Sequence, residues 1–254
     1  MLELRPEHFS LADYSSHSIA ICGKKFIADM SGALFWPGER LLVVADLHLE
    51  KGSAYAANAQ QMLPPYDTRE TLLRLARVID KYSAGAVLAL GDSFHDAAGY
   101  ARMSEDDRTI LQIMQEDRRW IWVTGNHDTT IAPGAGGEIR DAVVMEGLTF
   151  RHDPLVGSVT HEIAGHLHPA AKLSVYGHSI RRPCFVGNGR RLVLPAFGAF
   201  TGGLNILDDA FAGLFGNASF AVWMLGDDGL YPVAPRLLKP DRIAASNGDR
   251  SIRS

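Results

Sequence analysis

The sequence predicts an α/β fold, with βαβ units in the first half and a mostly β second half. Two observations carry the prediction. Up to Asp128, continuous apolar runs alternate with amphipathic stretches long enough to be helices, and parallel strands need crossovers of that length. Beyond residue 140 the chain breaks into short strand-like pieces separated by glycines, with little room for helices.

The elements follow in order. "SIAICGKKFIADMSGALFW" reads as short strands with a Gly-Lys turn, a hairpin at a sheet edge. "RLLVVAD" is an unbroken apolar run, the mark of a strand covered on both faces. "GSAYAANAQQMLPPYD" reads as a loop, because its double proline blocks an early helix start. Asp67 is placed to cap the helix "TRETLLRLARVIDKY" with Glu70 in its first turn, and Leu72, Leu75, Ala76 and Ile79 form its apolar stripe. "AVLALGD" is a second buried strand, "SEDDRTILQIMQEDRR" a second helix capped by Ser104, and "WIWVTGNHD" the third strand. "AVVMEG", "LTFRHD", "EIAGHLHP", "KLSVYGH", "PCFVGNG", "RLVLPAF" and "SFAVWML" supply the β-rich half. Residues 1–239 read as one domain. The polar residues 240–254, which lack a periodic face, read as a flexible tail.

Bulk properties narrow the function. The chain has 254 residues, 46% hydrophobic and 21% charged, an ordinary composition for a soluble globular protein. Its net charge of −4 gives no global attraction to nucleic acid or to an anionic membrane, so either would need a local patch. Cys22 and Cys184 are far apart and outside any CxxC spacing, which excludes a disulfide framework and a cysteine zinc site. "MLELRPEHFSLADYSSHS" lacks a basic stretch followed by an apolar run, and no apolar stretch approaches the ~20 residues that span a bilayer. The expected location is the cytoplasm, with no membrane association.

Polar groups cluster where the buried strands end. "VVADLH" ends in Asp46 and His48, "LALGD" in Asp92, and "VTGNHD" in Asn126, His127 and Asp128. The carboxyl ends of parallel strands lie along one edge, where open α/β sheets place their sites. Two residues apart on an extended chain, Asp46 and His48 are expected to point to the same side. The second half adds His152 in "FRHD" and the pair His166 and His168 in "GHLH". Each has a plain structural explanation when taken singly: Asp46 or Gly91-Asp92 as a turn, His152 as a core or surface histidine. Together they place five of the ten histidines in strand-end clusters, and the joint pattern reads as chemistry. Carboxylate, amide and imidazole donors without thiolate suit Mn²⁺, Fe or Zn²⁺, and there are enough of them for two ions if one carboxylate bridges.

Asp-x-His, Gly-Asp, Gly-Asn-His-Asp, a lone His and Gly-His-x-His, in that order from Asp46 to His168, resemble the calcineurin-like metallophosphoesterase superfamily. The resemblance implies a double β-sandwich flanked by helices. It implies one metal held by Asp46, His48 and His168, a second by Asn126, His152 and His166, and Asp92 bridging them with a water or hydroxide. That hydroxide would attack phosphorus in line. His127 would stabilise charge and protonate the leaving alkoxide, and Asp128 would orient His127 through a hydrogen bond. Mn²⁺ is the first choice of ion, with Fe or Zn²⁺ as alternatives. His95 and Asp96 in "GDSFHD" are read as supporting residues near the site.

"ADLHLEKG", "LPPYDTRETL", "LALGDSFHD" and "RRPCF…LPAFGAFTGGLN" are similar to a bacterial subgroup, the ligase-associated DNA damage response endonucleases. That similarity implies DNA as substrate, with a ligase, a helicase and a second nuclease working alongside. Two features of the chain point the same way. The 36 residues between Asp128 and Gly165 leave no room for a lid domain, so the site should be open. From Ile163 to Leu207 there is no acid, while Lys172, Arg181, Arg182, Arg190 and Arg191 are present, and Lys51 could join them in binding phosphates. Tyr55, Tyr66 and Phe94 could stack on bases. A small-molecule phosphodiesterase acting on a cyclic nucleotide or nucleotide-sugar is the alternative. A non-catalytic scaffold would show eroded ligands, and none is eroded here.

Overall fold

The computed structural model describes residues 15–57, 66–157, 159, 161–215 and 219–241. The first sheet is formed by β1 (Ser16–Ile21), β2 (Lys24–Asp29), β3 (Leu34–Trp36), β4 (Leu41–Val44), β5 (Ala86–Leu90), β6 (Arg119–Val123) and β7 (Glu138–Arg140), paired in that order. β1 to β4 run antiparallel and β4 to β7 parallel. The opening turn is Cys22-Gly23, both at positive φ (50° and 77°), one residue earlier than the expected Gly-Lys. Two positive φ values suit a tight two-residue hairpin.

Between β4 and β5 lie α1 (Lys51–Ala57) and α2 (Asp67–Tyr82), and between β5 and β6 lie α3 (Gly99–Arg102) and α4 (Glu105–Gln115). The second sheet contains β8 (Ala142–Met145), β9 (Leu148–Arg151), β10 (Glu162–Ala164), β11 (Pro169–Val175), β12 (His178–Gly187), β13 (Arg191–Val193) and β14 (Leu204–Asn205). Their order across the sheet is β14-β11-β12-β13-β10-β9-β8, and β15 (Ala221–Leu225) with β16 (Leu230–Val233) joins alongside β12.

Alternation along the central strands builds the layers. Leu42, Val44, Val87, Ala89, Trp120 and Trp122 face α2 and α4, packing on Leu72, Leu75, Ile79, Leu111 and Met114. Their neighbours Leu41, Val43, Leu88, Leu90, Ile121 and Val123 face the second sheet, meeting Phe150, Ile163, Phe185 and Leu192. Strands covered on both faces must read as unbroken apolar runs, and these do. The outer face of the second sheet is covered by the segment carrying Phe211, Leu214 and Phe215, with a 3₁₀ turn at Asp209–Phe211. The architecture is therefore a two-sheet sandwich with its α-helices on one side.

Local expectations fare unevenly. Ser104 caps α4 by accepting from the Asp107 amide at 3.1 Å. Asp67 does not cap α2: it is the first helical residue, and its carboxylate accepts from the Gly52 amide at 2.9 Å. Nor are residues 52–57 a loop, because the proline-free KGSAYAA forms α1 and is tied to α2 by that bond. The double proline itself lies outside the described residues, as does the tail from residue 242. Lys239 is fixed, its amide donating to the Lys172 carbonyl at 2.8 Å.

Candidate metal centre

The three parallel strands β4, β5 and β6 end side by side, so the segments after them meet above one sheet edge. The segments after β9 and β10 reach the same place from the second sheet. Two groups of donors result. Asp46, His48 and His168 bring one ligand atom each within 4.8 Å of one another, and Asp92, His152 and His166 do the same. The Asn126 amide oxygen lies 2.9 Å from His152 Nε2, beside the second group. Asp92 reaches both: its Oδ2 is 4.0 Å from His48 Nε2 and 3.4 Å from His152 Nε2.

Strand alternation does not bring Asp46 and His48 together, contrary to the extended-chain expectation. β4 stops at Val44, and Asp46 and His48 have φ of 54° and 44°. Asp92, His166 and His168 are also at positive φ (46°, 69° and 44°). Such conformations cost about 1–3 kcal/mol each away from glycine and persist where the surroundings over-determine them. Here the surroundings include tight backbone approaches. A Cβ at Gly125 would sit 2.2 Å from Asp92 Oδ1, and one at Gly165 would sit 2.7 Å from Asp46 Oδ2. These motif glycines are clearances for the candidate ligands of other motifs.

The donor set fits divalent cations by its own hydrogen bonding. His152 Nδ1 lies 2.9 Å from the Leu90 carbonyl and His168 Nδ1 3.1 Å from the Gly202 carbonyl, so each ring donates there and leaves Nε2 as the nitrogen turned inward. His48 Nε2 and His168 Nε2 face each other at 3.3 Å, and His48 Nδ1 is buried with no partner. Burial pushes His48 down to about 3, so its ring is neutral and able to coordinate. Burial would also lower His152, but its hydrogen bond to Asp92 and the Asp46 and Asp92 charges hold it up at about 9. Burial opposes protonation of His168 too, and the Asp46 carboxylate raises it above its ordinary value. The two buried carboxylates demand positive charge, which protons or metal ions can supply.

His127 stands at the edge of this cluster, its side chain 43% exposed and its Nε2 4.0 Å from Asp92 Oδ2. Its Nδ1 lies 3.2 Å from the His95 carbonyl and its amide donates to Asp92 Oδ1 at 2.9 Å. The expected hydrogen bond from His127 to Asp128 is not how Asp128 is used. The Asp128 carboxylate is fully buried and accepts from the amides of Asp92, Ser93, Phe94 and Gly125 at 2.7–3.1 Å. It clamps the segment after β5 to the segment after β6, and so positions Asp92, Asn126 and His127 through the backbone. Burial pushes its carboxyl up to about 6 despite these amides. The His95 ring stacks on His127 with centroids 5.4 Å apart, while Asp96 forms a two-bonded pair with Arg102 at 2.8 Å.

The expected basic surface is largely spent on the protein. Lys51 donates to the Phe200 carbonyl at 3.1 Å, bracing the segment that carries Gly202. Arg182 pairs with Asp227 at 3.1 Å, and Arg181 and Lys172 lie 3.4 and 3.7 Å from Asp241. Arg191 is fully buried against Glu162 at 2.7 Å. The acid-free stretch misled because the neutralising acids come from elsewhere in the chain. Arg181 and Arg182 do line a depression of about 110 Å³ together with His168. Phe94 is a core residue, Tyr66 is exposed, and Tyr55 packs 5.5 Å from the His95 ring. Sequence reading passed over Arg151, which lines a larger depression with Asn126, His152 and His166. Its position just before the candidate ligand His152 was the available signal.

Residues 39–236 match the family described as calcineurin-like phosphoesterase. The chain belongs to that family. As a phosphoesterase of this kind it is a metal-dependent hydrolase of phosphoester bonds, and its two donor groups are the family's candidate metal sites. The structure resembles the crystal structure of Pseudomonas putida nuclease MPE, with 25% identity, a TM-score of 0.68, and coverage of 86% of this chain and 100% of that one. This agrees with the narrower endonuclease resemblance. Yfce, a phosphoesterase from E. coli, aligns at 12% identity over 76% of this chain and 98% of its own, but its TM-score of 0.36 carries no argument. No curated protein gives a significant match.

Proposed function

We propose that the phosphoesterase is a two-metal phosphodiesterase that cuts DNA as an endonuclease in repair, working in the cytoplasm. The observation that carries the phosphodiesterase reading is the exposed His127 imidazole beside Asp92, which spans two complete donor groups. Similarity to a nuclease over most of the chain supports the choice of DNA.

Asp46, His48 and His168 would hold one cation and Asn126, His152 and His166 the other, with Asp92 between them. When bound, two divalent ions, Mn²⁺ by first choice, neutralise the phosphate and lower the pKa of an attacking water. His127 keeps Nδ1 turned to the His95 carbonyl, which leaves Nε2 as the atom facing the reacting phosphate. As the new P–O bond forms, the opposite P–O bond breaks and Nε2 delivers a proton to the departing oxygen. Asp128 holds the two segments that fix this geometry, as a positioning residue.

The test is Mn²⁺-dependent cleavage of circular single-stranded and duplex DNA, with Asp92→Asn as control. Nicking of a closed circle by the native protein alone is the expected result. Inert circles alongside rapid hydrolysis of a small aryl phosphodiester would replace DNA with a small-molecule substrate.

A further inference from the structure

Arg151 ends β9, immediately before the ligand His152, with its Nε 3.3 Å from Glu162 Oε1. Glu162 does not depend on it, because the fully buried Arg191 already sits 2.7 Å from the other carboxylate oxygen. Among the described residues the Arg151 side chain pairs with Glu162 alone, through Nε, so the two terminal nitrogens of its guanidinium are unspent. The side chain is 27% exposed and lines a depression of about 470 Å³ whose walls include Asn126, His152 and His166. Asp141 and Asp153 line it as well, and Arg151 is the single lysine or arginine among the lining residues.

We infer that Arg151 forms a phosphate subsite on the second-metal side, taking the phosphodiester next to the one being cut. This rests on the nuclease reading above and deepens it. A lone phosphate ester held at the donor groups would leave the Arg151 guanidinium of this depression unused. A polynucleotide whose scissile phosphate lies at the donor groups must continue past them, and its next phosphate meets a planar guanidinium suited to two-point recognition. The arginines of the depression beside His168 are already paired, Arg181 with Asp241 and Arg182 with Asp227, which leaves Arg151 as the guanidinium with unspent nitrogens beside a donor group. The substrate class is therefore a chain with consecutive phosphodiesters.

The experiment compares native protein, Arg151→Ala and Arg151→Lys with Mn²⁺ present. Its readout is the ratio of kcat/KM on an oligothymidylate to kcat/KM on bis(p-nitrophenyl) phosphate. Arg151→Ala should lower this ratio about tenfold or more, mostly through KM, and Arg151→Lys should restore part of it. The slope of log KM against log salt should shrink by about 0.7, the value for one lost phosphate contact on a single strand. A role confined to propping Glu162 would leave that slope where it was. An unmoved ratio, or an equal loss on both substrates, overturns the inference while the nuclease reading stands. A native protein that hydrolyses the aryl diester and leaves the oligonucleotide whole sinks the nuclease reading, and this subsite with it.

Discussion

At the level of single residues, the three consecutive groups after β6 have three separate jobs. Asn126 offers its amide oxygen beside His152, His127 stands exposed with Nε2 toward Asp92, and Asp128 disappears into a cage of backbone amides. His127→Ala should therefore keep both ions, by elemental analysis, and lose turnover by about 10²–10⁴-fold. A lost ion would move His127 into the ligand set. The glycines make a sharper claim. Gly165→Ala would drive a Cβ to 2.7 Å from Asp46 Oδ2 and 2.8 Å from the Ala45 Cβ. We expect metal affinity, by calorimetric titration, to fall about 10–100-fold, as when a support behind a ligand is removed. Normal affinity would show that the segment yields at little cost.

Among the elements, the edge hairpin is tied to the helical layer by one carboxylate. Asp29, at the end of β2, lies 2.6 Å from Lys81 Nζ and 2.7 Å from the Tyr82 hydroxyl, both at the end of α2. Burial would raise its pKa, but Lys81, Tyr82 and Ser31 outweigh burial and hold the carboxyl below its ordinary value. A carboxyl lowered on folding stabilises fully above its unfolded pKa of ~3.9 and loses that effect as pH falls through the folded value. Urea unfolding of the native protein and Asp29→Asn should thus differ by about 1–3 kcal/mol at neutral pH. The gap should narrow only below pH ~4. A gap that is constant with pH would mean that the lost contacts are not electrostatic. The same scale explains two missed helix details. Asp67 reads locally as a cap and α1 reads as loop, yet a bond from the Gly52 amide to Asp67 joins the two helices and settles both. Local propensity lost to a tertiary hydrogen bond.

For the whole molecule, the donor groups straddle the sandwich. Asp46, His48, Asp92 and Asn126 follow strands of the first sheet, whereas His152, His166 and His168 follow strands of the second. Ions bound there would tie one sheet to the other and would bind the unfolded chain only weakly. Mn²⁺ at about 100 times its Kd should add ~2.7 kcal/mol per site, raising the Tm in scanning calorimetry. A chelator should reverse the rise, and Asp92→Asn should blunt it. A Tm indifferent to Mn²⁺ would mean that the donors do not bind it in the folded state. Among the described residues no helix is long and apolar enough to cross a membrane.

The sequence by itself determined the buried strands and singled out the candidate donors. Burial on both faces demands unbroken apolar runs, and coordination demands particular side-chain atoms; both requirements leave their mark on single residues in one dimension. Pairing between distant side chains leaves no such mark. Only the tertiary structure decided that Asp128 serves backbone amides, that five candidate donors sit at positive φ, two of them against glycines of other motifs, and that Lys172, Arg181, Arg182 and Arg191 pair with Asp241, Asp227 and Glu162. Those outcomes depend on which segments the two sheets bring within a few ångströms of each other, and no local pattern encodes that distance.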